Sequence, residues 1–142
     1  MELVPINWLA VGGAFVVVFL AGAVWFGPKT FFPVWWRALG KDPDDMSTSG
    51  MNMGVVFGST AVAAVVQVIG IALAIGVATL AFGPVGPLGG ALIGLTLGVV
   101  FTAAGSLSHR LFGQQGFRVW LIEVGSDVLN YTLAGLIIGL FG

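Results

Sequence analysis

Four long stretches of apolar, almost uncharged sequence constrain this chain more than any other feature. They cover about 8–26, 53–82, 88–111 and 118–141 of the 142 residues, and the first two contain no charged side chain. A helix as long as the first stretch rises about 28 Å, close to the thickness of the hydrocarbon core of a bilayer. Only 8% of all residues are charged, whereas a soluble domain carries about 25%. We therefore expect an all-α polytopic membrane protein, a single domain over residues 1–142 built as a four-helix transmembrane bundle.

The connections between these stretches differ in length and character. Gly83–Pro87 and Gly113–Gly116 are short turns, which predicts that the last three helices are antiparallel neighbours. The first connection is longer, and its Phe31–Lys41 part mixes aromatic and basic residues. That mixture favours a short interfacial or re-entrant segment in the headgroup layer, and a simple aromatic belt with basic anchors is the alternative. Candidate N-caps for the second helix are Ser47, Thr48 and Ser49.

The basic residues are distributed unevenly. All five lie on or beside the first and third connections: Lys29, Arg37, Lys41, Arg110 and Arg118. Loops rich in Lys and Arg face the cytoplasm. The sequence therefore predicts a multi-pass protein of the bacterial inner membrane, with the first and third connections in the cytoplasm and both termini outside.

Glycine residues recur at a spacing of four in three of the helices. The third helix contains Gly86, Gly90, Gly94 and Gly98, the second begins with Gly54 and Gly58, and the fourth contains Gly135 and Gly139. In lipid, small residues stabilise helix pairs because they allow the two backbones to approach closely. We expect these rows to be helix-packing seams, either within the bundle or towards another chain.

A polar layer crosses the last two helices. Glu123 and Asp127 are four residues apart and Asn130 follows three later, so all three share one face of the fourth helix. Folding the hairpin about Gln114 and Gln115 gives a register in which Ser106 is opposite Glu123, Thr102 is opposite Asp127, and His109 is near Trp120. Gln67 of the second helix is a further candidate for this layer.

Three interpretations of the polar layer stay open. It is a structural network that includes an Arg110–Glu123 ion pair, or a proton or cation path past Glu123 and Asp127, or a site for a small ligand or partner subunit. We predict no metal site, because the chain has no cysteine and one histidine. No cofactor is predicted, although a bound lipid or pigment stays open, and His109 could ligate a pigment or haem.

Other functions are excluded by what the chain lacks. Ser106 and Ser108 lie near His109, but adjacent residues on a helix do not face one another, so they form no triad. The glycine-rich stretches lie in apolar helices and are packing ridges, not phosphate loops. Five scattered cations cannot form a basic face for nucleic acid. We therefore expect no enzymatic activity and no nucleic-acid partner.

The first connection resembles a known family. Its motif residues are Trp25, Pro28, Phe31, Trp35, Arg37 and Gly40. Together with the chain length, the four spans and the stretch Trp120–Gly125, they are similar to a small bacterial membrane family catalogued as domain of unknown function 1761. The resemblance implies the four-span topology and no activity. Members of that family tend to carry an aromatic residue and His where this chain has Ser126 and Asp127.

We therefore expect a non-catalytic structural, assembly or accessory subunit. It would contact membrane lipids and act through helix–helix contacts, either as a homo-oligomer or in a larger membrane complex. The alternative is an oligomeric proton or cation channel or transporter that uses the intramembrane carboxylates.

Overall fold

The computed structural model describes residues 3–42 and 52–141. In these two ranges all regular structure is helical, which confirms the predicted fold class. The helices are α1 (Trp8–Trp25), α2 (Phe32–Ala38), α3 (Met53–Phe82), α4 (Gly86–Leu97), a π-helical segment (Gly98–Ala103), α5 (Ala104–Phe112) and α6 (Gly116–Phe141). α4, the π segment and α5 form one continuous helix. With α1, α3 and α6, the described residues contain four helices long and apolar enough to cross a membrane.

The helix boundaries follow local chemistry. The third spanning helix begins at Gly86, two residues before the predicted start, because Pro87 is accommodated in the first turn, where its missing N–H is not needed. α6 likewise begins earlier than predicted, at Gly116, whose φ of 85° favours glycine. The side chain of Asn52 caps α3 by accepting a hydrogen bond from Val55 N at 3.2 Å. The predicted caps lie outside the described residues: Ser47, Thr48 and Ser49.

α6 is the central helix, because it contacts every other described helix. Its Ala134 and Ile138 are 0% and 4% exposed and belong to the hydrophobic core. The rest of that buried core comes from α1 and α3: Ala10, Val11, Ala14, Val18, Val68, Ile71, Ala72 and Ile75. The core therefore lies between α1, α3 and the second half of α6.

The two chain ends meet at one end of the bundle. Asn7 caps α1 with its side-chain oxygen, and its Nδ2 donates a hydrogen bond to the carbonyl oxygen of Phe141 at 2.9 Å. We call this the terminal end. The opposite end, which contains the α1–α3 connection and the α5–α6 turn, carries all five cations, and we call it the basic end.

The glycine row of the third spanning helix packs against α6. A Cβ on Gly90 would overlap the carbonyl oxygen of Gly135, and one on Gly94 would overlap that of Tyr131. Gly98 and Gly139 lie in the same seam, and Gly86 contacts Gly139. These glycines therefore form a seam inside the bundle, where two backbones approach closely.

The glycines at the start of α3 behave differently. A Cβ on Gly58 would meet nothing within 4 Å, and one on Gly54 would meet only the side chain of Asn52, its own cap. This part of α3 is therefore not packed against another described helix.

Candidate functional site

Both carboxylate oxygens of Glu123 on α6 are engaged by donors from other helices. Arg110 of α5 pairs with Oε2 through its Nε, and Trp35 of α2 donates a hydrogen bond from Nε1 to Oε1 at 3.1 Å. The Glu123 side chain is 19% exposed and that of Arg110 is 38% exposed. Ion pairing and a second donor lower the cost of placing this charge inside the bundle. The arrangement ties α2, α5 and α6 together at the basic end.

Three tryptophan indoles connect the basic end to α6. Besides Trp35, Trp25 of α1 donates from Nε1 to the carbonyl oxygen of Ile122 at 2.9 Å, and Trp120 of α6 donates to that of Ala103 at 3.0 Å. Gly125 leaves room for Trp25, because a Cβ there would lie 2.8 Å from the indole ring. These rings hold α1, α2 and the π segment in place on α6.

The first-connection motif thus has a role that sequence reasoning missed. We expected its aromatic residues to lie in the headgroup layer, and the structure shows in addition that Trp25 and Trp35 donate hydrogen bonds to α6. Phe31 packs on Trp25 with ring centroids 4.4 Å apart. The other motif residues shape the segment: Pro28 lies in the turn after α1, Arg37 lies in the last turn of α2, and Gly40 follows with a left-handed φ of 81°. Because Trp35 and Glu123 are 88 residues apart, no sequence spacing could have indicated this contact.

The glycine seam lies close to the predicted register of the last hairpin. Gly98 lies against both Val128 and Tyr131, and Gly90 lies against Gly139, and folding about Gln114 and Gln115 sets Gly98 opposite Tyr131. Close glycine contacts fix this seam, and the π segment widens the helix just after it. Beyond this seam Arg110 pairs with Glu123, as in the structural interpretation of the polar layer, and Ser106 does not.

Other predicted members of the polar layer make no hydrogen bond to Glu123 or Asp127 among the described residues. Ser106 donates back to the carbonyl oxygen of Ala103 in its own helix at 3.3 Å. His109 is exposed in the last turn of α5, and Gln67 is exposed on α3. Thr102 is half-buried within the π segment. Among the described residues, no group of three or more His, Asp or Glu side chains is placed to hold a metal ion.

Asp127 and Asn130 lie further from the basic end of α6 than Glu123 does. Neither carries a hydrogen bond from another described helix of the kind that Trp35 and Arg110 donate to Glu123. Asp127 is half-buried and has no hydrogen bond or ion pair with any residue in the described ranges. The Oδ1 atom of Asn130 is buried and likewise has no donor among them. A Cβ on Gly22 of α1 would lie 3.8 Å from Asn130 Nδ2, so α1 passes close to this amide.

α3 presents one apolar stripe of which only half is covered. Residues spaced alternately by four and three share one helix face, and on α3 these are Phe57, Ala61, Ala64, Val68, Ile71 and Ile75. Val68, Ile71 and Ile75 are 2%, 2% and 3% exposed, whereas Phe57 is 58% exposed. Ala61 and Ala64 are half-buried. We call Phe57, Ala61 and Ala64 the open stripe.

Helix geometry relates the open stripe to Asp127. Ile75 and Ile138 line one groove at the terminal end, and α3 and α6 run in the same direction. Ala64 precedes Ile75 by 11 residues and Asp127 precedes Ile138 by 11 residues, which is about three helical turns. We therefore infer that Ala64 and Asp127 lie at similar levels, on the helix faces that carry Ile75 and Ile138.

Comparison with known protein families matches residues 9–139 to the family described as "Protein of unknown function (DUF1761)". The chain belongs to this family. The match runs from α1 to α6, so it includes the motif of the first connection and Glu123. Comparisons with curated proteins and with solved structures found no match. The family description assigns no activity, and function is therefore argued from the geometry.

Proposed function

We propose that this membrane protein is a non-catalytic subunit that acts through helix–helix contacts, with copies of itself or within a larger membrane complex. The observation that carries the proposal is the open stripe of α3. One continuous apolar face is buried in the core at Val68, Ile71 and Ile75 but is uncovered at Phe57. Small residues at Ala61 and Ala64 would let another helix approach closely.

The engagement of Glu123 supports this proposal over ion conduction. A conducting carboxylate needs to exchange its proton or ion with water or with another polar group, whereas both oxygens of Glu123 are held by Arg110 and Trp35. Ser106 bonds within its own helix and His109 is exposed at the basic end. These residues do not line up into a polar path with Glu123.

Conduction of protons or cations is the competing function, because Asp127 makes no hydrogen bond or ion pair within the described part of the chain. Proton or cation flux across vesicles that contain the purified protein distinguishes conduction from the proposed subunit role. A conducting protein loses flux when Asp127 is replaced by Asn, whereas the subunit we propose shows no flux above that of empty vesicles.

For localisation, we propose the bacterial inner membrane with the basic end in the cytoplasm and both termini outside. The proposal rests on the clustering of all five cations at one end. Because the chain has no cysteine, single-cysteine variants can be labelled without background. A cysteine at Leu3 should react with an impermeant maleimide in intact cells, and one at Lys41 should react only after the membrane is opened.

Native mass spectrometry of gently solubilised membranes tests the proposed function. We expect the chain to appear in a complex heavier than the monomer. Replacing Ala61 and Ala64 with Leu should reduce that complex, because the added side chains block close approach. The matched control is Ala63→Leu, an exposed alanine on another face of α3. A chain that is monomeric in every gentle detergent, with no heavier species, would contradict the proposal.

A further inference from the structure

The surface beside the open stripe contains an intramembrane charge. Asp127 precedes Ala134 by seven residues and Ile138 by eleven, and these spacings place all three on one face of α6. Ala134 and Ile138 use this face to pack into the core with α3. At Asp127 the same face is no longer covered in full, and the carboxylate has no hydrogen bond or ion pair in the described ranges.

A carboxylate at this depth calls for a partner. Asp127 lies 11 residues after the start of α6 and 14 before its end, which is about 16 Å along the helix and near mid-membrane. Charged side chains at such a depth are costly to insert and pair with one another or with polar groups. One turn nearer the basic end, Glu123 is paired in this way by Arg110. Asp127 therefore has an unmet requirement for a cationic or hydrogen-bond-donating group.

No Lys or Arg side chain of the described residues forms an ion pair with Asp127. All five cations of the chain lie at the basic end, either in the connections or within two to three residues of a helix end: Lys29, Arg37, Lys41, Arg110 and Arg118. Arg110 already pairs with Glu123. A second copy, in either orientation across the membrane, brings no cation to the level of Asp127. A cation at the level of Asp127 would therefore belong to a different protein.

We propose that the open stripe receives a membrane-spanning helix of a different protein, which carries a Lys or Arg side chain at the level of Asp127. This inference rests on the proposed function and specifies the chemistry of the partner. The helix lies along Phe57, Ala61 and Ala64, and its cation reaches the carboxylate from the side of Ala64. Phe57 gains apolar contacts, and the alanines permit close approach of the two backbones. The cation supplies three donors if it is Lys and five if it is Arg.

The test uses a synthetic helix of known composition as the partner. Vesicles contain the full-length protein with a donor dye at the terminal end, and a Leu/Ala membrane-spanning peptide of about 23 residues carries the acceptor dye. One peptide has a single Lys at its centre and the matched peptide has Leu there. We expect the Lys peptide to bind at least about tenfold more tightly than the Leu peptide, as measured by energy transfer at increasing peptide density.

Variants identify the groups responsible. Asp127→Asn should bring the affinity for the Lys peptide down to that for the Leu peptide. Ala64→Leu should weaken both peptides, and Ala63→Leu should change neither. Far-UV circular dichroism and the detergent-unfolding midpoint establish that each variant is folded. Should Asp127→Asn fail to fold, Asp127→Glu retains the charge one methylene further out and should still prefer the Lys peptide.

Other occupants give different results, each of which overturns the proposal. Equal binding of the two peptides, or a Lys preference that survives Asp127→Asn, excludes a charge contact at Asp127. Energy transfer between two labelled copies of the protein that is lost in Asp127→Asn assigns the surface to a second copy. Flux of Na⁺ or protons that requires Asp127 assigns the carboxylate to an ion. If the two peptides bind equally but native mass spectrometry still shows a heavier complex, the proposed function stands and only the charged partner is ruled out. If the heavier complex is also absent, the proposed function and this inference are both wrong.

Discussion

Trp35 of α2 donates a hydrogen bond to Glu123 of α6 at 3.1 Å, across 88 residues of sequence. Through this bond the segment after the first spanning helix is attached to the last one. The other carboxylate oxygen of Glu123 pairs with Arg110. The Glu123 side chain therefore connects α2, α5 and α6 at the basic end of the bundle.

Replacing Trp35 with Phe should lower the free energy of unfolding by about 1–2 kcal/mol, because the ring is kept while a hydrogen bond to a charged group is lost. Reversible unfolding in mixed detergent micelles, followed by circular dichroism, measures the change. Trp8→Phe is the control, since Trp8 is 62% exposed at the terminal end. Equal stability of the two variants would show that the Trp35 bond contributes nothing.

The Arg110–Glu123 pair should show energetic coupling in a double-mutant cycle. We expect Arg110→Leu and Glu123→Leu each to destabilise the protein, and the double variant to lose about 1–2 kcal/mol less than the sum of the singles. The physical reason is that each single variant leaves a charge in the membrane without its partner. Strict additivity of the two losses would contradict the pairing.

The glycines of α3 and of the third spanning helix should respond oppositely to the same substitution. Gly94→Ala should destabilise the protein by about 1–3 kcal/mol, because its Cβ would overlap the backbone of α6 at Tyr131. Gly58→Ala should be neutral or stabilising by up to about 1 kcal/mol, since its Cβ meets nothing and alanine favours a helix. The same unfolding assay compares them, and a reversed order would place the seam elsewhere.

Asn130 should be replaceable without loss of stability. Its Oδ1 is buried and has no donor in the described residues, so Asn130→Leu removes an unsatisfied acceptor at similar side-chain size. We expect stability to stay constant or to rise by about 1 kcal/mol. A loss of more than that amount would mean that Asn130 makes a bond that stabilises the fold.

The spanning helices could be predicted from the sequence because absence of charge over a long stretch is a local property. Met53–Phe82 was identified at both ends, since a polar connection precedes it and Gly83 and Pro84 follow it. The prediction that the Arg110 and Glu123 side chains can pair also needed only the short turn between their helices.

The contacts beyond the glycine seam, and the part of α3 that stays uncovered, could not be predicted in the same way. Which side chains meet Glu123 depends on the π segment that follows the seam, and a π segment is not visible as a residue pattern. The Trp35 contact joins positions too distant in sequence for any spacing rule. The stripe from Phe57 to Ile75 is continuous in sequence, so only the structure shows that its first half is open.

We propose that another protein helix covers the open stripe in the native membrane. Photo-cross-linking measures this contact, with a photoreactive amino acid placed at Ala64 or, as the control, at Ala63 of the full-length protein in its own membranes. We expect one protein adduct of defined mass from position 64, heavier than the monomer, and none from position 63. If position 64 yields only lipid adducts, as position 63 does, the stripe faces lipid and no protein helix covers it.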